Sequence, residues 1–177
     1  DGREGNWRWG KDKVLREGNT ELLVLETKGV PTIYVKMRLE GTDGALRTAK
    51  PKSFWLDPKY DGSAGTRLIK QLVTGEFDNP KPLEYIKDVL SISTGTDSVV
   101  LDFFAGSGTT LHAVAELNAT DGGTRQCILV TNNENSICRG VTHPRLKAVL
   151  TGKWADKQKH DPLPGSLSFY KTGFIKR

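Results

Sequence analysis

Several things are scarce in this 177-residue sequence. No apolar stretch approaches the roughly 18 residues needed to cross a bilayer, and no secretory signal is visible, so the membrane and secreted classes are set aside. Cysteine is confined to Cys127 and Cys138, which have no metal-site spacing and form no disulfide framework. Cys127 sits in an apolar run and is expected in the core. His112, His143 and His160 are scattered, so no metal site is expected. A reducing, cytoplasmic setting is the resulting expectation. The chain also lacks an initiating methionine and opens on the polar Asp1-Gly2-Arg3-Glu4-Gly5, as expected of a piece of a longer protein.

What is present suits one domain, or one domain with a small appendage: 36% hydrophobic and 27% charged residues. A net charge of +5 favours a polyanionic partner, though by itself only modestly.

The most informative stretch is 97–111. Val99, Val100 and Leu101 form a short apolar run that ends in Asp102 and breaks into Phe103-Phe104-Ala105-Gly106-Ser107-Gly108-Thr109 before a helical pattern begins. That is the pattern of a buried parallel strand delivering a ligand loop to a helix N-terminus. No lysine follows Gly108, which removes a phosphate-binding loop of the NTPase type. Leu111 stands where a dinucleotide fingerprint needs its third glycine, which weakens that reading too.

The remaining pattern resembles the Phe-x-Gly-x-Gly motif of S-adenosylmethionine-dependent DNA amino-methyltransferases, above all the modification subunits of type III restriction systems. The resemblance runs from about Trp7 to Glu134. It rests on Trp7-Arg8-Trp9, on Tyr34-Val35-Lys36-Met37, on Phe77-Asp78-Asn79-Pro80-Lys81-Pro82, on the glycine loop, and on Asp121-Gly122-Gly123-Thr124-Arg125 with its following strand. It implies an α/β fold, a partial Rossmann-like methyltransferase sheet with an N-terminal β-rich segment. Residues 1–65 would adjoin or belong to the target-recognition region, 66–152 would bind cofactor, and 153–177 would be a linker and edge strand.

The same resemblance implies site residues. Asp102 would face the methionine amino group of S-adenosyl-L-methionine, and the loop from Phe103 through Ala105, Gly106, Ser107 and Gly108 to Thr109 would wrap the methionine part. Phe104 would pack over the cofactor, whereas Phe103 is expected in the core. Asp102 can alternatively cap the loop. Lys81 and Pro82 would border the cofactor, with the Lys81 ammonium on its carboxylate. By the logic of dinucleotide folds an acid after the second strand bridges the ribose hydroxyls, which favours Glu134, with Asn133 adjacent.

Along the rest of the chain, Trp7 and Trp9 interleave with Arg3, Arg8 and Lys11, a pattern that either stacks on bases or packs on a sheet, and residues 1–20 lack clear periodicity. Leu22 to Leu25 is an apolar run before a turn signal at Lys28 and Gly29. Residues 33–39 alternate as a half-buried antiparallel strand, with Lys36 and Arg38 about 7 Å apart on its polar face. That face either meets DNA phosphates or is simply solvated. Residues 41–44 read as a turn, and 48–65 as linker. Short helices are expected over 67–75 and from Pro80 through Leu90, then after the loop to Asn118. A strand over 126–130 completes a right-handed crossover unit. Thr142 would cap a last helix ending at Gly152, and 166–171 would return as an edge strand.

Asp57, Pro58 and Tyr60 partly match the catalytic Asp-Pro-Pro-Tyr of the family, but Lys59 replaces the second proline and the position is too far downstream. The segment reads as a linker turn, and the catalytic motif as absent. The expected function is therefore the cofactor-binding part of a site-specific adenine-N6 DNA methyltransferase, binding S-adenosylmethionine weakly at most and inactive alone. Double-stranded DNA is the expected partner, with a homodimer and a restriction subunit in the whole protein. The alternatives are a methyltransferase for RNA or a small molecule, or a non-catalytic DNA-binding or assembly module.

Overall fold

A computed structural model describes residues 9–41, 44–48 and 50–173. Arg3, Trp7, Arg8, Thr42 and Asp43 therefore lie outside the described residues. The protein is a mixed α/β chain dividing into two compact units, Asp1–Ser53 and Phe54–Arg177.

The first unit opens with helix α1, Lys11–Glu21, where the sequence shows no periodicity. Its only large apolar side chains, Val14 and Leu15, stay exposed, so it carries no apolar stripe to be read. Charge pairs line it instead, including Lys13 with Glu17 at 3.8 Å. Strands β1, Leu22–Thr27, and β2, Val30–Val35, then pair antiparallel with Thr27 opposite Val30. Lys28 and Gly29 turn the chain with φ of 52° and 75°, the mirror-image turn whose twist matches the strands.

The expected strand to Leu39 stops at Val35, because Val35 pairs with Leu22 and the residue before Leu22 is helical, leaving no ladder to extend. One further bond, from the Lys36 amide to the Glu21 carbonyl at 2.7 Å, closes the register. Met37 and Leu39 are exposed.

In the second unit, the expected linker 48–65 turns out to be partly structured. A 3₁₀ turn spans Pro58–Tyr60, and helix α2 covers Gly62–Leu72, starting at Gly62 rather than Arg67. Aspartates explain both starts: Asp57 accepts from the Lys59 amide at 3.0 Å and Asp61 from the Ser63 amide at 2.6 Å. Helix α3 is Leu83–Ser93, with Pro82 as its cap residue.

Strand β3, Val99–Asp102, helix α4, Thr109–Asp121, and strand β4, Gln126–Leu129, follow. β3 and β4 pair in parallel, Val99 with Gln126 through Asp102 with Leu129. Ala113, Val114 and Ala115 are buried, so the first half of α4 is enclosed on several sides. One core joins Leu83, Leu90, Ala113 and Val114 to Val100 and Cys127, and another joins Ile69 and Leu72 of α2 to Ala115 of α4 and to Val149.

Both strands were expected to be buried, yet each is covered on one face only. Val99, Leu101 and Ile128 are about half exposed, because helices pack on the Val100 and Cys127 side alone. Cys127 is half-buried, and burial pushes its thiol up to about 12.

A π-helical turn, Ile137–Thr142, leads into helix α5, His143–Thr151. Thr142 is already helical and makes no side-chain cap. Part of the expected linker after it packs back on the fold: the Ala155 amide bonds the Leu72 carbonyl at 3.3 Å, the Leu163 amide bonds the Val149 carbonyl at 3.1 Å, and Trp154 joins the core. Residues 166–171 form no strand, since no neighbouring strand offers them a ladder, and Phe169 instead lies 5.2 Å from the His143 ring. No helix among the described residues is long and apolar enough to cross a membrane.

Candidate functional site

The carboxyl ends of β3 and β4 lie side by side, and the glycine loop leaves from one of them. Asp102 closes the base of this loop. One carboxylate oxygen accepts the Phe104 amide at 2.9 Å and the other accepts the Thr110 hydroxyl at 2.6 Å, tying strand, loop and first helical turn together. The Ala105 amide bonds the Val130 carbonyl at 3.1 Å, which pins the loop to the end of β4. Gly108 caps α4 with φ 77°, a left-handed conformation that strains any other residue. A Cβ at Gly108 would also stand 3.2 Å from Thr142 and 3.3 Å from Leu146.

The backbone amides of Gly106 and Ser107 have no acceptor among the described residues. Phe104 is 93% exposed beside them. Phe103, expected in the core, is 61% exposed because it continues the uncovered side of the sheet.

The remaining expected cofactor residues fall on two segments, 81–82 and 133–134. Phe77 packs its ring against Gly106, and Gly65 abuts the carbonyl of Pro80, so the 77–82 stretch is fixed at both ends. Pro82 is buried and Lys81 is exposed. After β4, Asn133 accepts the Arg139 backbone amide at 3.0 Å through its side chain, and the exposed Glu134 carboxylate accepts from the Asn132 side-chain Nδ2 at 3.2 Å. Asp57 spends its carboxylate on the turn, while Tyr60 donates to Asp88 at 2.5 Å and Lys59 pairs with the same carboxylate at 2.8 Å. Tyr60 and Tyr85 stand 5.5 and 5.6 Å from Trp55, an aromatic cluster.

In the first unit, Lys36 and Arg38 line a recess of about 360 Å³ together with Arg47, which the sequence did not single out. Arg38 is paired with Glu21 across it.

Sequence reasoning also missed a buried polar chain under the loop. Arg145 and His112 are each only 1% exposed. The Arg145 guanidinium donates to the Thr109 hydroxyl at 2.8 Å and meets His112 Nδ1 at 3.3 Å. His112 Nε2 faces Glu116 at 3.4 Å, and Glu116 pairs with Lys87 at 2.8 Å. Because a guanidinium only donates, Nδ1 must accept, and the proton sits on Nε2 toward Glu116. His112 is thus neutral. The signal for this chain was a charged residue on an apolar helix face: Arg145 lies four residues before Val149.

The electrostatics follow from burial and these partners. Burial pulls the Arg145 guanidinium down to about 10, which leaves it charged at neutral pH. His112 and then Lys87 hold the Glu116 carboxyl at about 2. Burial works against the Lys87 charge, but Glu116 and Glu84 outweigh it and raise its pKa.

Burial, reinforced by the Arg145 charge, lowers His112 below its ordinary 6.5. Below that value the unfolded chain binds a proton that the folded chain refuses, so stability is full above 6.5 and declines as pH falls toward the depressed folded value. The slope contributed is at most about 1.4 kcal/mol per pH unit. His112→Asn should flatten that part of the urea-measured stability profile relative to the parent chain.

A family of DNA methylases matches residues 10–140 of this chain. Over 134 residues the chain is 45% identical to the EcoPI Mod subunit, a type III restriction-modification enzyme of Escherichia phage P1, covering 75% of this chain and 20% of that protein. It is 37% identical over 174 residues to the type II methyltransferase M.KpnI of Klebsiella pneumoniae, covering 98% of this chain and 38% of that protein. The StyLTI Mod subunit of Salmonella typhimurium is 56% identical over 83 residues, 46% of this chain and 13% of its own length.

Proposed function

This chain belongs to the family of DNA methylases, and from that we propose that it is the cofactor-binding part of an S-adenosylmethionine-dependent adenine-N6 DNA methyltransferase. The observation carrying this reading is the loop after β3. Free amides at Gly106 and Ser107, the Asp102 carboxylate and the exposed Phe104 ring meet at the carboxyl end of a parallel strand pair, where α/β folds bind their ligands. In it the amides and Asp102 grip the amino-acid end of the donor, Phe104 covers it, and Lys81 neutralises its carboxylate. Glu134 reaches the ribose hydroxyls.

Methyl transfer from a sulfonium requires alignment and exclusion of water more than acid-base chemistry, and these residues supply alignment at the donor end. The acceptor end belongs to an Asp-Pro-Pro-Tyr tetrapeptide that this sequence does not contain, since Asp57, Pro58 and Tyr60 build a turn.

β3, α4 and β4 form one crossover unit of a Rossmann-like sheet. Its uncovered face is closed by the remainder of the catalytic domain in the whole protein, which would resemble relatives of which this chain spans 20% and 38%. Lys36, Arg38 and Arg47 contact duplex DNA. In this reading the whole protein works with a restriction subunit, in keeping with the restriction-modification names of the Mod relatives, and forms a homodimer, on which those names are silent.

Titration with S-adenosylmethionine should give weak binding, and tritiated donor should give no transfer to duplex DNA. Binding to duplex DNA should fall with salt and exceed binding to RNA. No heat with the donor would sink the cofactor reading and leave a DNA-binding or assembly module. Turnover would instead make Asp57 a catalytic candidate.

A further inference from the structure

We propose that Thr142 and Arg145, at the start of α5, are positioning residues that set the glycine loop for the methyl donor from its buried side. This rests on the reading that residues 103–109 hold that donor. Neither side chain is solvent-facing, at 4% and 1% exposure, so both act through the loop backbone.

The Thr142 hydroxyl donates to the Gly106 carbonyl at 2.6 Å. In a trans peptide the carbonyl and the following amide point in opposite directions, so drawing the Gly106 carbonyl toward α5 aims the Ser107 N–H away from it. Arg145 treats the next peptide the same way. Its Nη1 donates to the Ser107 carbonyl at 3.4 Å and the Ser107 hydroxyl at 3.1 Å as well as to Thr109. The Gly108 N–H, turned back by that peptide, closes the loop on the Ala105 carbonyl at 2.7 Å. Two successive peptides are thereby fixed by side chains one helical turn apart.

Stability alone gives no reason for a guanidinium here. Arg145 has no carboxylate partner at ion-pair distance among the described residues, its Nε is unpaired, and an apolar side chain of similar length would fill the space at a smaller desolvation cost. Its hydrogen bonds go to the loop and to His112, whose neutral tautomer is held by Glu116 and Lys87. The arrangement trades burial energy for loop geometry.

The test uses the 177-residue chain with Thr142→Val, Arg145→Met and Arg145→Lys. Three readouts are taken: thermal melting, hydrogen exchange of the 103–110 peptide against the 126–129 strand, and calorimetric titration with S-adenosylmethionine. The valine and methionine variants should each weaken donor binding about tenfold or more and speed exchange in 103–110 selectively, with Arg145→Lys recovering part of both. Folded variants that bind the donor as the parent does, with unchanged loop exchange, overturn the inference. If Arg145→Met does not fold, Thr142→Val decides. If the parent chain itself shows no donor heat, the cofactor reading fails, and unchanged loop exchange would then separately refute the hold of α5 on the loop.

Discussion

Gly65→Ala is expected to destabilise the second unit by about 3 kcal/mol, although it places the best helix former inside a helix. On propensity alone the change should stabilise α2 by about 1 kcal/mol. The site decides otherwise. A Cβ at Gly65 would stand 2.2 Å from the Pro80 carbonyl oxygen and 3.0 Å from the Lys81 carbonyl carbon. These are backbone atoms, so no rotamer change relieves the collision, and either α2 or the 77–82 stretch must move. Since Phe77 in that stretch packs on Gly106, the shift reaches the glycine loop, and donor binding should weaken with stability. Gly62 is the control: it lies in the same helix with nothing within 4 Å of its would-be Cβ, so Gly62→Ala should leave the melting temperature within a few degrees of the parent. Equal melting temperatures for Gly65→Ala and the parent would show that α2 and the proline segment are not in close contact.

Gly65 also marks where sequence reading stopped working. Among polar residues and prolines a glycine reads as punctuation, so 48–65 looks like linker. The physical demand on Gly65 is a backbone approach from a segment some fifteen residues away in sequence, and no local pattern records that. Helix α1 escaped for the opposite reason, being stabilised by surface charge pairs with no apolar period. Local signals did suffice for β3, the loop, α4 and β4, because a short apolar run, a glycine bend and a helical stripe are each set by near neighbours.

The burial of β3 and β4 shows how a correct pattern can still mislead. Val99, Val100 and Leu101 have the continuous apolar character of a strand enclosed on both sides, but only Val100 is packed under helices. The sequence carries the demand of a sheet with two covering layers, and the described residues of the second unit supply one. In the site, the residues projecting from the loop were legible because the motif is contiguous. Its support was not: Thr142 and Arg145 lie more than thirty residues downstream, and although Arg145 falls on the apolar face of its helix, nothing local records that its guanidinium reaches back to the loop.

Asp102→Ala should abolish measurable donor binding, whereas Asp102→Asn should fold normally and still bind the donor roughly ten- to a hundredfold more weakly. The two variants separate the loop tie that Asp102 makes from the donor contact proposed for it. As a loop tie it accepts the Phe104 amide with one oxygen and the Thr110 hydroxyl with the other. Asparagine can keep both ties, since its carbonyl oxygen still accepts the amide and a threonine hydroxyl can accept from the new NH₂ group. Only the negative charge is lost, and with it the charge-assisted bond to the donor's ammonium that the proposed role requires. Alanine removes the ties as well, so the Phe104 amide and the Thr110 hydroxyl lose their partner and the loop loses its base. Calorimetric titration with S-adenosylmethionine, read beside exchange of the 103–110 peptide, distinguishes the cases. If Asp102→Asn binds as tightly as the parent, the carboxylate is a loop tie and nothing more, and the amides of Gly106 and Ser107 hold the donor without it.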